Sequence, residues 1–281
     1  MWKEVYTMKT KKGMPVFWHV IIISTIIILL FPILFALGMS FKPLKEAHND
    51  TLNFLPTPFT LENYQALFES VDVVKITWNT FVIATIITFF KVVTAFLAAY
   101  AFVFLEFKGK KILYFLLIGT MFIPFAATMI PNYLFISKIG LGDNILGVIF
   151  PQLSDAVGIF LIRQSMRSIP ISLIEAARLD QIKQRHIMRD IVLPLTRPAI
   201  TSTGIWFFIL AWNEYVWPVL ILKSVENYTL PLALQMFISS EGGTNFTIAM
   251  AVSVITLIIP LSLYLIFQRY IIGTFASSGI K

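Results

Sequence analysis

Apolar runs about as long as a lipid bilayer is thick recur from one end of this chain to the other. They are Phe17–Phe41, Trp78–Leu105, Ile112–Ile136, Ile145–Met166, Ala199–Leu222 and Thr247–Ile272. A helix crosses the hydrocarbon core with roughly 20 largely apolar residues. Within lipid, every backbone N–H and C=O must find a partner inside the protein, which a helix provides by itself. An all-α integral membrane protein with six transmembrane helices is therefore expected. Composition points the same way, since only 13% of the 281 residues are charged, against about 25% in soluble domains. The first run follows a lysine-bearing start, as in a signal peptide. It is longer than an h-region of about 7–15 residues and has no small-residue cleavage site, so it reads as a retained helix.

Several runs contain proline: Pro32, Pro124, Pro131, Pro151, Pro218 and Pro260. Proline kinks membrane helices where neighbours satisfy the freed carbonyls. Kinked helices suit a gated path better than a rigid anchor.

Lysine and arginine set the orientation. On one side of a six-helix arrangement fall Lys3, Lys9, Lys11 and Lys12, then Lys108, Lys110 and Lys111. Arg163, Arg167, Arg178, Lys183, Arg185, Arg189, Arg197, Arg269 and Lys281 share that side. The other side holds only Lys42, Lys45, Lys75, Lys138 and Lys223, with Lys91 inside the membrane. Both termini are predicted to be cytoplasmic. The net charge of +7 then marks topology, and no nucleic-acid partner is needed. The organisation expected is a cytoplasmic segment 1–16, a first membrane helix 17–41 and an external loop 42–77. A membrane core 78–272 and a cytoplasmic tail 273–281 follow. Within the external loop, Leu61–Glu69 reads as a short amphipathic helix. Near the external end, Asn132, Tyr133, Gln235, Glu241 and Asn245 read as interfacial residues, or as contacts for an external protein.

No cysteine is present, which excludes disulfides and thiolate metal sites. His19, His48 and His186 are too far apart in sequence for a local metal motif. No G-x-x-x-x-G-K-[ST] loop occurs, so nucleotide would have to be handled by another chain.

The loop 168–198 carries the most information. Ser172-x-x-Glu175 has the form of a capping box, which predicts a helix running through Ala176, Ala177 and Leu179. A second short helix, roughly Ile182–Val192, places Ile182, His186 or Ile187, and Ile191 on one face. Pro194 and Pro198 are expected to end it before the fifth membrane run.

Glu175-Ala176-Ala177, position 181 and Ile191-Val192-Leu193-Pro194 stand at the spacing of the EAA loop. In this the chain resembles the permeases of binding-protein-dependent ABC importers. Ala98-Ala99-Tyr100-Ala101-Phe102, Phe160-Leu161-Ile162-Arg163-Gln164, Ser168-Ile169-Pro170 and Trp212-Asn213-Glu214-Tyr215-Val216-Trp217-Pro218 are similar to the carbohydrate-uptake branch, maltose-type permeases included. The resemblance implies a type I ABC importer permease fold in the bacterial inner membrane. It also implies a second homologous permease, a cytoplasmic ATPase dimer that uses ATP and Mg, and an external substrate-binding protein. No cofactor is implied on this chain. Residues Glu175, Ala176, Ala177, Arg178, Leu179, Asp180 and Gln181 would then couple to the ATPase. The family usually has glycine where Gln181 stands, so two geometries are open: a left-handed turn between two short helices, or one longer, less bent helix.

Ionisable groups at membrane depth cost about 2.5–3.5 kcal/mol on insertion scales and mark pathways or buried pairs. Lys91, Asp155 and Glu214 are such groups. One reading lines a wet path with Asp155, Trp212, Asn213 and Glu214, where aromatic and short polar groups meet sugar hydroxyls. The other pairs Lys91 with Asp155 or Glu214 across helices. The solute expected is an oligosaccharide, with glycerol 3-phosphate second. An ion-coupled secondary transporter would leave the EAA-like loop without a role, and a membrane enzyme lacks any catalytic constellation.

Overall fold

The computed structural model describes residues 16–50, 53–238 and 245–278, with side chains as far as Gln268. Lys3, Lys9, Lys11, Lys12, Glu241 and Lys281, and the Arg269 side chain, lie outside the described residues. Among those described, every regular element is helical. Helix α1 is Val16–Ser40, and two short helices follow, α2 (Leu44–Asn49) and α3 (Glu62–Ser70). The longest early helix is α4, Val73–Phe104. Next come α5 (Lys110–Thr120), α6 (Phe125–Lys138), α7 (Ile145–Ile149) and α8 (Ala156–Arg167). Helices α9 (Ile171–Leu179) and α10 (Gln184–His186) precede α11 (Leu193–Trp212). The chain finishes with α12 (Val216–Ile221), α13 (Leu230–Ile238) and α14 (Phe246–Ser278).

Three stretches, Val16–Ser40, Val73–Phe104 and Phe246–Gln268, are individually long and apolar enough to cross a membrane. The third and fourth sequence runs are each broken. Helices α5 and α6 meet at 95°, and α7 with its following 3₁₀ turn meets α8 at 45°. The fifth run is split between α11 and α12. Its helix also begins earlier than expected, at Leu193. The breaks in the third and fourth runs have a local cause. Pro124 stands at the N-cap of α6 with extended backbone, and Pro151 sits in the 3₁₀ turn Phe150–Gln152. Proline has no N–H to donate, so it is stable where a helix starts anew and costly where one must continue. Pro32, Pro131 and Pro260 remain inside helices.

Polar side chains satisfy the new helix starts. Asn144 accepts from the Leu146 N–H at 2.8 Å, and Asp155 from Val157 and Gly158 at 2.8 and 3.2 Å. Glu214 accepts from Trp217 at 3.2 Å. The chain before α7 is pinned to the chain after α12 by Asp143, which accepts from the backbone of Lys223 and Ser224, the Ser224 hydroxyl and the Asn227 amide. The Ser224 hydroxyl and the two backbone amides hold its carboxyl well below the usual carboxylate range.

The core forms two clusters strung along α4. One joins Ile76, Ile83 and Ile87 to α11, α13 and α14 around Trp212 and Trp217. The other joins Ala95, Ala99, Tyr100 and Phe104 to α8 and α9. Lys91 lies between them on α4. The outer surface is apolar, with α1 exposed along nearly its whole length, as expected of a helix facing lipid or another subunit. Residues 41–50 and 53–70 cap one end: Lys42 is buried and donates to the Asp50 and Asn53 carbonyls, and Asn63 links Ser40 to Thr247.

Helices α4, α8 and α11 pack on one another where Gly158 faces Phe207. A β-carbon at Gly158 would come within 2.5 Å of the Phe207 ring, which is only 1% exposed. Gly158→Val is expected to destabilise the bundle by about 1–3 kcal/mol through overpacking, read as an earlier thermal transition of the purified protein. An unchanged transition would refute this packing.

Candidate functional site

The loop 168–198 folds as two helices joined by a sharp turn. Helix α9 starts two residues earlier than a capping box requires. Pro170 is its N-cap, without any side-chain cap, and Ser172 lies inside the first turn. The fixed φ of proline presets the helix start, so the serine cap expected from sequence is not used. One face of α9 buries Ile174 at 0% and Ala177 at 6% exposure against the second core cluster. The opposite face exposes Glu175, Ala176, Asp180 and Leu179, the last at 84%.

Gln181 resolves the two geometries left open by sequence. It adopts the left-handed conformation, φ 58°. The Gln181 N–H donates to Arg178 O and the Ile182 N–H to Ala177 O, both at 3.0 Å. Those two bonds form a Schellman motif, which satisfies the Ala177 and Arg178 carbonyls near the end of α9. The turn that glycine makes at low cost is made here by glutamine.

The second helix departs from expectation. It neither begins at Ile182 nor ends at Pro194. Lys183 caps it, and α10 passes through a π-helical turn, Ile187–Val192, directly into α11. Pro194 falls in the first turn of the α-helical stretch. A π turn widens the backbone there and relieves the clash between proline and the carbonyl four residues earlier. Ile187 and Val192 are fully buried, whereas Ile182 is 41% exposed. Arg189 and Asp190 form an exposed pair at 2.7 Å, and the arginine holds the Asp190 carboxyl below its ordinary range.

Two residues of this loop, Arg178 and Gln184, hydrogen-bond to α4, and neither link was legible in the sequence. Arg178 donates to the Phe104 carbonyl at 2.6 Å, at the C-terminus of α4. Gln184 donates to the Tyr100 hydroxyl at 2.6 Å. Arg178, grouped with the ATPase-coupling residues by resemblance, thus turns its guanidinium toward the membrane helix. A cation at a helix C-terminus is favoured by the unpaired carbonyls and the helix dipole. No pattern in a single sequence pairs residues 74 positions apart.

The polar residues read at membrane depth separate into different roles. Lys91 pairs with Asp155 at 3.4 Å and lies 5.0 Å from the centre of the Phe207 ring. Asp155 also caps α8. Trp212 is fully buried, and its indole N–H donates to Thr256 O at 3.0 Å, so its ring packs in the core rather than on a path. Asn213 is exposed at the break between α11 and α12, beside the half-buried Glu214. Tyr133 and Gln235 are exposed and Asn132 is half-buried.

An apolar helical bundle with broken spans and a tethered helical hairpin at one end fits a transport permease subunit. The chain belongs to the family of binding-protein-dependent transport system inner membrane components, whose model matches residues 91–272. It is 29% identical over 262 residues to the sn-glycerol-3-phosphate transport system permease protein UgpE of Brucella melitensis, covering 90% of this chain and 93% of that one. It is 30% identical over 258 residues to the arabinooligosaccharides transport system permease protein AraQ of Halalkalibacterium halodurans, covering 90% and 92%. A solved bacterial ABC transporter involved in the import of the acidic polysaccharide alginate contains a chain of similar fold. There the TM-score is 0.75 at 25% identity, over 95% of this chain and 99% of that one.

Arg178→Ala removes a charge-assisted bond worth about 1.5–3 kcal/mol. Amide exchange across α9 is expected to speed up roughly tenfold or more, while Arg178→Lys restores part of the protection. Unchanged exchange would show the tether to be idle. At the turn, Gln181→Gly is expected to stabilise the protein by up to about 1 kcal/mol by removing a left-handed side chain. Gln181→Val should destabilise it, and thermal unfolding reads both.

Proposed function

We propose that this chain forms half of the translocation path of an ATP-driven, binding-protein-dependent importer in a bacterial inner membrane. In this reading it crosses the membrane six times with both termini cytoplasmic. It pairs with a second homologous permease and docks a cytoplasmic ATPase dimer through its hairpin. An external binding protein delivers the solute. ATP and Mg act on the ATPase alone, and this chain binds no cofactor.

One observation carries the coupling role. The outer face of α9 presents Glu175, Ala176, Leu179 and Asp180, ending at Gln181, while Arg178 bonds α9 to α4 and the second helix of the hairpin runs on into α11. An exposed leucine beside charged groups is the form of a small docking knob: the apolar tip enters a cleft and the charges fix its register. Ala177 belongs to the buried face and supports the knob from beneath.

The solute is a carbohydrate in the preferred reading, in line with the solute named for the AraQ relative. Asp155, Asn213 and Glu214 would border the path, with Trp212 packed behind them. Lys91 already faces Asp155 and an aromatic ring, so it offers little unspent charge to an anion. Glycerol 3-phosphate remains the second reading, favoured by the UgpE relatives.

The test is reconstitution with the partner subunits. Glu175→Lys is expected to reduce transport per ATP hydrolysed by tenfold or more, the scale of a desolvated charge contact turned repulsive. Wild-type transport by that variant would end the coupling assignment. Uptake against a panel of oligosaccharides and glycerol 3-phosphate separates the two solute readings.

A further inference from the structure

A basic cavity of about 460 Å³ lies beside the coupling hairpin, bounded by α4, α5 and α8 and by the chain leading into α9. Four cations line it, Lys110, Lys111, Arg163 and Arg167, against a single carboxylate, Glu106. Lys110 is spent on Glu106 at 3.1 Å and on the Leu105 carbonyl at 2.8 Å. That leaves Lys111, Arg163 and Arg167 without a carboxylate partner among the described residues. The Arg163 guanidinium stacks 3.9 Å from the centre of the Tyr114 ring, which fixes its plane. Its Nε is buried and has no hydrogen-bond partner.

A buried guanidinium N–H without an acceptor is costly, and most such groups in native proteins are satisfied by a ligand, ion or water. Guanidinium and ammonium groups converging in one concavity suit a phosphate oxyanion. Lys110 and Lys111 are also the first residues of α5, whose free N–H groups and positive dipole end favour an anion. The α4 terminus does not oppose this, because its last carbonyls are taken by Lys110 and Arg178.

The source of the phosphate follows from the neighbouring surface. Beyond the cavity, α5 exposes Ile112, Phe115 and Leu116 at 66, 75 and 58%. Cations at a mouth with bare apolar helix beyond it fit an anionic headgroup above acyl chains. We infer that this cavity binds the phosphate of an anionic membrane phospholipid. Ile169 and Ile171 line the cavity and flank Pro170 at the start of α9. A bound headgroup would therefore brace the joint on which the hairpin turns. The inference rests on the membrane placement of α5 and α8, and is independent of the solute.

The test uses the full transport complex in nanodiscs of phosphatidylcholine, with and without phosphatidylglycerol. The wild type is expected to retain phosphatidylglycerol through delipidation, and its transport per ATP to rise when that lipid is present. Lys111→Gln and Arg167→Gln, both at exposed positions, should each weaken retention about fivefold. Arg163→Gln should abolish the lipid response, with Arg163→Lys restoring part of it. Equal retention by wild type and variants overturns the proposal. Variants that weaken subunit assembly equally in both lipids assign the cavity to a protein contact and also overturn it. In detergent, saturable thermal protection by inorganic phosphate that the variants lose would keep the anion site but overturn the lipid source. Loss of the Glu175→Lys effect would sink the coupling role and leave lipid retention untouched, so the two failures are distinguishable.

Discussion

Backbone hydrogen bonding in an apolar solvent is the constraint on which the rest of this structure depends. Where a helix runs unbroken, as in α4, the requirement is met within the segment. Where it breaks, a side chain must supply what the ladder no longer does. Asp155 and Glu214 each stand at such a break and accept the first free N–H groups of the next helix. Charge at membrane depth is thus tied to backbone geometry before any solute is considered. The same carboxylate of Asp155 then neutralises Lys91. A lone buried charge would be destabilising by several kcal/mol, and pairing together with capping offsets that.

The stiffness of the hairpin is set by its attachments. Here it has three. The inner face of α9 packs on the second core cluster, Arg178 holds the end of α4, and α10 is continuous through the π turn with α11. Helices α4 and α11 are also packed against each other. A displacement of the hairpin would therefore reach two neighbouring helices at once, through the Arg178 and Gln184 hydrogen bonds to α4 and one continuous backbone into α11. Tightly packed interiors transmit such strain with little loss. The Gly158–Phe207 contact extends the same packing to α8.

Hydropathy made the apolar segments legible, because burial in lipid is recorded residue by residue. The Glu175–Pro194 spacing did the same for the hairpin, and proline marked where helices were liable to break. It could not say which prolines break them: Pro124 starts a new helix, whereas Pro131 sits within one, depending on neighbours that satisfy the freed carbonyls. The Ser172 capping pattern misled because Pro170 alone starts the helix. The Arg178–Phe104 and Gln184–Tyr100 bonds, and the seat of Trp212 beneath the α11–α12 break, join residues distant in sequence. Local pattern carries no record of such contacts.

Gln181 shows how this stiffness is reached at a position where glycine would be the simpler choice. A left-handed L-residue costs roughly 1–2 kcal/mol relative to right-handed backbone. Two Schellman bonds and the packing of Ala177 beneath the turn hold it there nonetheless. Glycine would remove that strain but enlarge the set of conformations open to the loop when its contacts loosen. Glutamine narrows that set. At a turn bonded to the bundle on either side, a modest static strain accompanies a smaller conformational range. The strain is local to the turn, and the exposed knob at Leu179 stays in place because the chain on either side is bonded to the bundle.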